Sequence, residues 1–295
     1  MNLENLTHCP LCESSELTNV LVARDYTTSQ ESFQIQRCAN CQFVFTNPRP
    51  AANAIGKYYQ SDSYISHTDG GKGIVDRVYV MARNFTLRWK ERLVKKQQAH
   101  GELLDVGCGT GEFINHMKTA DWQVTGMEPT ETAREKASQK IQQRIHADLE
   151  SINHRFDVIT LWHVLEHVHE LDATVEKIKS LLKENGTIFI AVPNHESPDA
   201  KVYQSHWAAY DVPRHLWHFS KTTMQHLMNK HGMKIKEIVP MKLDAYYVSL
   251  LSEKYRFPEQ SSLVNMIKAT LQGFTSNRKA SKEINHSSLI YIIKK

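Results

Sequence analysis

The chain has 295 residues and a formal net charge of +4, from 36 Lys and Arg against 32 Asp and Glu, which allows one catalytic-sized core and a small accessory module. The basic residues are spread along the chain rather than massed, and this distribution argues against nucleic acid as a partner. The sequence has neither an apolar leader nor eighteen uninterrupted apolar residues, so we expect a cytoplasmic protein with no membrane partner.

Four of the five cysteines form two CxxC pairs near the start of the chain. Cys9 and Cys12 make the first pair, and Cys38 and Cys41 make the second. Four thiolates from two turns are the tetrahedral set that Zn²⁺ prefers in a closed structural site. A thioredoxin-like redox pair is the alternative, but no βαβ pattern follows the pairs. Residues 1–50 are therefore predicted to form a small zinc ribbon.

Residues 51–98 are predicted to form a lid and a linker helix. The lid part is rich in tyrosine and glycine, and its Tyr64 is a candidate for the substrate pocket. From Ile74 to Gln97 the apolar residues recur at the spacing of one long amphipathic helix. We interpret the basic residues of this helix as a solvated outer face.

Strand-like and helix-like patterns alternate over residues 99–295, which is typical of a doubly wound parallel sheet with helices on both faces. Strands are predicted at 103–106, 123–128, 156–161, 187–192, 234–239 and 289–293. Helices are predicted from Gly111, from Glu131, and over 171–183, 221–230 and 262–272. The connection 241–288 is long for a loop, so it needs structure of its own or a function such as covering a site.

The first of these strands enters a glycine-rich turn that opens a helix. Gly107, Gly109 and Gly111 have GxGxG spacing, and Asp105 lies two residues before the first glycine. Such a turn brings backbone N–H groups to a ligand above the carboxyl end of the strand. A dinucleotide-binding fold of the NAD type is the alternative, although its glycines normally have GxGxxG spacing.

Two acidic residues at the ends of the following segments complete the candidate ligand site. Glu128, which precedes Pro129, can accept hydrogen bonds from both hydroxyls of a ribose. Asp148, which precedes Leu149, is placed to accept one from an adenine amino group. Because NAD-binding proteins share the ribose acid, Glu128 alone does not separate the two classes of protein.

In combination these motifs resemble the class I S-adenosylmethionine-dependent methyltransferases. The segments Asp105–Gly111, Glu128, Asp148 and Phe156–His167 follow in the order of that family over residues 101–240. The resemblance implies a Rossmann-like seven-stranded sheet and S-adenosylmethionine as cofactor. The residues that it assigns to the cofactor site are Asp105, Gly107, Gly109, Gly111, Glu128, Pro129, Asp148, Leu149, Trp162 and His163.

Residues His163–His167 also match HxxEH, in which two histidines one helical turn apart bind zinc and a glutamate acts as a base. A metalloprotease is therefore an alternative. The match lies at the end of a predicted strand and has no evident third ligand in a downstream helix. We accordingly expect Glu166 and His167 to be structural, with Trp162 and His163 at the cofactor end of the strand.

Arg37–Pro50 resembles the zinc-binding front end of a branch of methyltransferases that includes deoxysugar C-methyltransferases. Those relatives have a glutamate and a catalytic histidine in a loop that resembles Trp207–Ser220. The resemblance implies that His215 is the general base, with Arg214 in the place of the glutamate. His218 and Tyr64 are further catalytic candidates, and histidine suits this role because its pKa lies near neutral pH. The alternative is that Arg214, His215 and His218 only order the loop.

The sequence thus predicts methyl transfer from S-adenosylmethionine to a small-molecule acceptor such as a sugar nucleotide or a quinol. A ribosomal or transfer RNA methyltransferase that binds RNA through the zinc ribbon is the alternative, and it would need a continuous basic face. A third possibility is a non-enzymatic adaptor, which the intact glycine turn and Glu128 disfavour.

Overall fold

The computed structural model describes residues 2–59 and 74–295, without the side chains of 74–80 and 82. Tyr64 lies outside the described residues. The chain divides into two compact units. Unit 1 comprises residues 1–61, 165–171 and 191–292, and unit 2 comprises residues 62–164, 172–190 and 293–295.

The described part of the chain has twelve strands and eight α-helices. The strands are β1 (Leu3–Glu4), β2 (Leu17–Arg24), β3 (Ser32–Cys38), β4 (Val44–Thr46), β5 (Arg49–Pro50), β6 (Glu102–Val106), β7 (Gln123–Met127), β8 (Phe156–Trp162), β9 (Leu182–Pro193), β10 (Trp217–His218), β11 (Lys234–Pro240) and β12 (Ser288–Lys294). The helices are α1 (Ile74–Gln97), α2 (Glu112–Thr119), α3 (Glu131–Ile141), α4 (Leu171–Ser180), α5 (Pro198–Tyr203), α6 (Lys221–Lys230), α7 (Asp244–Arg256) and α8 (Ser262–Ala280).

The strands form three sheets. The small pair β1-β5 and a four-stranded antiparallel sheet, in the order β10-β4-β3-β2, contain the strands of the N-terminal module. The largest sheet has the order β11-β12-β9-β8-β6-β7, in which β6 pairs in parallel with both β7 and β8. The predicted α/β class is confirmed.

The largest sheet has six strands, whereas the family resemblance implies seven. The missing strand corresponds to the segment at His146, which makes a single parallel bridge to Met127. Pairing ends there because the chain turns at Asp148, whose Oδ1 accepts a hydrogen bond from the Ser151 N–H at 2.8 Å. A side-chain acceptor of this kind gives the backbone an alternative to the strand ladder.

The helix predicted over residues 74–97 is confirmed at both ends. Its C-terminal half buries Leu93 and Val94, but Met81 and Phe85 remain 71% and 56% exposed. The helix predicted over residues 171–183 ends earlier, at Ser180. Leu182 instead begins β9, where its buried side chain packs against Gly186.

The long connection 241–288 contains a pair of helices, α7 and α8, of which only the first part of α8 was predicted. Within the described residues, no helix is both long and apolar enough to span a membrane.

One apolar core in unit 1 joins the N-terminal sheet to the segment that follows β9. Phe33, Ile35 and Val44 of the sheet pack in the same cluster as Tyr203 and Trp207. The residues between β9 and α6, which include the candidate base, therefore belong to the same packed unit as the zinc-ribbon segment.

Candidate active site

The glycine-rich turn of unit 2 follows β6. Gly107 and Gly109 have φ angles of 68° and 54°, in the left-handed region that favours glycine. A Cβ added to Gly107 would lie 2.6 Å from Cγ2 of Val164, so the turn packs closely on that side. A Cβ at Gly109 would meet no atom within 4 Å. Gly109 therefore borders open space large enough for a ligand to approach the backbone.

The carboxylate of Glu128 is held by this turn. Its Oε2 accepts a hydrogen bond from the Gly109 N–H at 2.9 Å, and its Oε1 accepts one from the Thr130 N–H at 2.9 Å. Only 7% of the residue is exposed. Each carboxylate oxygen can accept a further hydrogen bond, so Glu128 is oriented in advance to receive hydroxyl donors.

Asp105 is buried within unit 2, and its Oδ1 accepts a hydrogen bond from Oγ1 of Thr160 at 2.6 Å. Burial raises the pKa of Asp105 to about 7, although the nearby Lys90 ammonium acts in the opposite direction. Asp105 therefore supports the interior of the strand that carries the turn.

Lys90 of α1 places a positive charge on the ring of Trp162. Its Nζ lies 4.2 Å from the ring centroid of Trp162, which also contacts Phe113 edge-on at 5.3 Å. A cation therefore occupies one face of this ring. The sequence did not predict a role for Lys90. Helical periodicity indicates which face of the helix carries a residue, but not which residue of another element it contacts.

The remaining predicted cofactor residues also lie in unit 2. Asp148 and Pro129 are exposed, Leu149 is buried, and His163 is half-buried with a φ of 58°. The segment after Trp162 forms only a 3₁₀ turn, Leu165–His167. The α-helical spacing that the metalloprotease interpretation requires is therefore absent from these residues.

The four cysteines of unit 1 come together as predicted. Their Sγ atoms lie within 4.8 Å of one another, and the pairs Cys9–Cys41 and Cys12–Cys38 are each separated by 3.5 Å. A disulfide needs about 2.05 Å between sulfurs, whereas four sulfurs at about 2.3 Å from a tetrahedral zinc are about 3.8 Å apart. The geometry fits zinc and excludes a disulfide.

Two histidines of unit 1 lie face to edge, with ring centroids 4.5 Å apart. Nδ1 of His215 lies 2.9 Å from the Ala209 carbonyl, and Nδ1 of His167 lies 3.0 Å from the Arg214 carbonyl. A carbonyl oxygen only accepts hydrogen bonds, so each Nδ1 is the donor and each neutral ring keeps its lone pair on Nε2. Glu166 belongs to the same cluster, with ligand atoms of all three residues within 4.8 Å.

His167, which was expected to be structural, is the ring that contacts His215. Burial lowers the pKa of His167 to about 4, and the neighbouring His215 acts in the same direction.

His218 has a different environment, because it belongs to β10. Oγ1 of Thr46 donates a hydrogen bond to the His215 carbonyl at 2.8 Å and lies 3.0 Å from Nε2 of His218. The hydroxyl hydrogen is used in the first contact, so Nε2 of His218 donates in the second. Burial lowers the pKa of His218 well below its usual value, and the nearby His215 acts in the same direction.

Arg214 is 1% exposed and joins two carboxylates of unit 1. Its guanidinium contacts Asp25 at 3.0 Å and Asp211 at 2.7 Å, and it donates a hydrogen bond to the Tyr58 carbonyl at 2.9 Å. Burial is the largest influence and acts to raise the pKa of Asp211, but the charge and hydrogen bond of Arg214, together with smaller contributions, lower it overall. Arg214 therefore holds the loop to the N-terminal sheet.

We expect Arg214→Met to lower the free energy of unfolding by about 3 to 5 kcal/mol, because it leaves the buried carboxylate of Asp25 and the half-buried one of Asp211 without their cation. Urea denaturation followed by circular dichroism measures this loss. Arg155→Met, at an exposed arginine, is the control and should change the value by no more than about 0.5 kcal/mol. Equal stability of both variants would contradict the anchoring role of Arg214.

Comparison with known proteins gives a match between residues 79–238 and the profile of the methyltransferase domain family. This match covers more than half of the chain. The chain belongs to the methyltransferase domain family. The resemblance to class I S-adenosylmethionine-dependent methyltransferases is thereby confirmed, and the matched residues include the glycine turn, Glu128 and His215.

Curated relatives of this methyltransferase-family chain include two ubiquinone biosynthesis O-methyltransferases. The protein of Vibrio cholerae is 34% identical over 102 residues, which are 31% of this chain and 42% of the relative. The protein of Haemophilus ducreyi is 35% identical over 108 residues, 32% of this chain and 45% of the relative. The chain thus spans less than half the length of these relatives.

A solved structure, that of the cyclase SpnF, resembles the methyltransferase-family chain with a TM-score of 0.50 and 16% sequence identity. The match covers 77% of this chain and 84% of SpnF. At this level of identity the similarity concerns the fold alone.

Proposed function

We propose that the protein transfers a methyl group from S-adenosylmethionine to a small-molecule acceptor. The observation that carries the proposal is the carboxylate of Glu128, whose two oxygens are held by backbone N–H groups beside the open face of Gly109. The preoriented carboxylate suits the hydroxyls of a ribose, and the glycine backbone beside it leaves room for the chain attached to that ribose. Membership of the methyltransferase domain family supports the same cofactor.

Unit 2 contains a candidate residue for each part of this cofactor. When bound, S-adenosylmethionine supplies a methyl group on a positively charged sulfur. The aromatic face of Trp162 can attract this cation, but the Lys90 ammonium, 4.2 Å from the ring centroid, competes for the same face. In the proposed site Glu128 binds the ribose, Asp148 and Leu149 border the adenine, and Gly107 and Gly109 line the methionine end.

His215 is the proposed general base toward the acceptor. Its Nδ1 is engaged by the Ala209 carbonyl, so Nε2 has the lone pair that can accept a proton. Its segment follows the carboxyl end of β9 in the chain, and ligands of open α/β sheets bind outside such ends. The names of the curated O-methyltransferase relatives support a hydroxyl acceptor, which must lose a proton around methyl transfer.

His218 is assigned a positioning role in this proposal, because its Nε2 is occupied by Thr46 and its ring is buried in β10. The cysteine tetrad is proposed to hold one structural zinc, since four thiolates leave no coordination position for a substrate. The division into a zinc ribbon (1–50), a lid and linker helix (51–98) and a catalytic domain (99–295) stays a prediction.

The cofactor assignment is tested by replacing Glu128. We expect Glu128→Ala to weaken binding of S-adenosylmethionine and of its demethylated product by about tenfold to a hundredfold, because two hydroxyls lose a charged acceptor. Isothermal titration calorimetry measures both constants. Glu131→Ala removes an exposed glutamate nearby and should leave both unchanged. Tight binding of NAD by the wild-type protein, without binding of S-adenosylmethionine, would refute the assignment.

The class of acceptor is tested separately by a methyl-donor turnover assay with sugar nucleotides, quinols and total RNA. Turnover of a sugar nucleotide or quinol is the expected result. Turnover confined to RNA would replace the small-molecule proposal by the RNA alternative while leaving the cofactor assignment in place.

A further inference from the structure

Helix α8 exposes its large apolar residues and buries small or polar ones. Five of its large apolar residues are more than half exposed, from 51% at Ile267 to 63% at Leu271. The members of this apolar face are Leu263, Met266, Ile267, Leu271 and Phe274. At 100° per residue they occupy an arc of about 140° on one side of the helix. Within the described part of the chain nothing covers this face.

The opposite side of α8 faces the interior of unit 1 and consists of small or polar residues: Asn265, Ala269, Gly273, Ser276 and Ala280. Oγ of Ser276 donates a hydrogen bond to the buried carboxylate of Asp199 at 2.7 Å. A Cβ at Gly273 would lie 2.7 Å from Cδ1 and 3.0 Å from Cα of Tyr246. The inner side therefore has no room for a leucine or a phenylalanine, and the helix cannot rotate to bury its apolar face.

Helix α7 has the same exposed character on its outer side. Tyr247, Leu250 and the following Phe257 are 52%, 39% and 39% exposed, and Leu243 just before the helix is 50% exposed. A soluble domain rarely exposes apolar side chains in such density without a partner for them.

The charge of α8 indicates what that partner is. From Ser262 to Lys282 the chain has four cations and neither Asp nor Glu: Lys268, Arg278, Lys279 and Lys282. Arg278 falls within the apolar arc, and Lys268 and Lys279 fall about 60 to 80° beyond one of its edges. The exposed apolar residues of α8 are thus flanked by cations and by no anion. This pattern matches a lipid surface, where acyl chains lie beneath anionic headgroups.

The same charges disfavour a second copy of the chain as the occupant. A two-fold interface places one patch against an identical patch, so cations of α8 would face cations of its copy. Like charges brought together at an interface oppose association.

We propose that the exposed face of α7 and α8 docks the protein on an anionic membrane surface, with α8 lying in the plane of the headgroups. A helix that lies on a membrane needs no spanning apolar run. The proposal therefore departs from the expectation of no membrane partner, which was drawn from the lack of such a run. The proposal is independent of the cofactor and of the acceptor.

The test is co-sedimentation of the full chain with vesicles of phosphatidylcholine alone or mixed with phosphatidylglycerol. We expect binding to the mixed vesicles that weakens with added salt. Ile267→Gln/Phe274→Gln should lower the vesicle affinity by about a hundredfold, since each apolar side chain contributes about tenfold. Lys268→Gln/Lys279→Gln should lower it by about fivefold for each cation.

Val20→Gln/Val22→Gln changes two exposed apolar residues of β2 and serves as the matched control, with unchanged affinity expected. Thermal unfolding and zinc content establish that each variant is folded. Failure of the wild-type protein to bind mixed vesicles, or equal binding of the Ile267→Gln/Phe274→Gln variant, overturns the proposal. So does a wild-type dimer, measured by sedimentation equilibrium, that this variant converts to a monomer, because the face would then belong to a second copy.

Discussion

His215→Ala is expected to lower the turnover number by about a hundredfold to ten-thousandfold, the range for loss of a general base. The proposed proton acceptor is Nε2, since Nδ1 donates to the Ala209 carbonyl. Affinity for S-adenosylmethionine should barely change, because the residues proposed to bind it are others. Steady-state kinetics together with calorimetry of cofactor binding separates these two effects. His226→Ala, at an exposed histidine of α6, is the control.

A second variant distinguishes catalysis from support of the fold. The amide of an asparagine can donate to the Ala209 carbonyl as Nδ1 does, but it has no basic nitrogen. His215→Asn should therefore retain the thermal stability of the wild-type protein and lose turnover as the alanine variant does. Lowered stability with near-normal turnover of the folded fraction would establish His215 as structural.

Cys38→Ser is expected to abolish stoichiometric zinc binding and to unfold the N-terminal module. Each purified wild-type chain should contain one zinc, because a closed tetrad of thiolates couples metal affinity to folding. Apparent binding free energies of structural zinc sites are about 10 to 16 kcal/mol. A small module that loses this contribution to its folding free energy should unfold. Metal analysis by mass spectrometry and limited proteolysis of residues 1–50 measure the two effects.

Cys108→Ser is the matched control, because Cys108 is the fifth cysteine and lies in the glycine turn of unit 2, outside the tetrad. Its zinc content should equal that of the wild-type protein. Wild-type protein without zinc, or a Cys38→Ser variant with full zinc content and a protease-resistant module, would contradict the zinc site.

Local patterns predicted those parts of the fold that depend on neighbours in sequence. Periodicity located both ends of α1 and of α6, and CxxC spacing identified a tetrad whose halves lie 26 to 32 residues apart along the chain. The glycine spacing similarly predicted the turn that holds Glu128. Each of these features depends on the spacing of residues within a short stretch of sequence, so it can be predicted without knowledge of the rest of the fold.

Features that depend on distant pairing were not predictable in this way. Strand β10 has two residues, too few for any periodicity, and it exists because β4 hydrogen-bonds to it from about 170 positions earlier. Helix α7 was missed because its exposed apolar residues and buried serines reverse the usual pattern. Lys90 was assigned to solvent because nothing local in the sequence relates it to Trp162.

The pairing of β4 with β10 has a consequence for protein engineering. Phe45 and Val44 pair with Trp217 and His218, and the Arg49 guanidinium covers the Trp217 ring at 4.4 Å. The N-terminal module and the loop Trp207–Ser220 therefore form one structural unit, although they are far apart in the sequence. A chimera that exchanges one of these stretches with a relative should therefore transplant residues 1–59 together with residues 207–219, because a graft of one stretch alone would pair β4 and β10 from two different proteins.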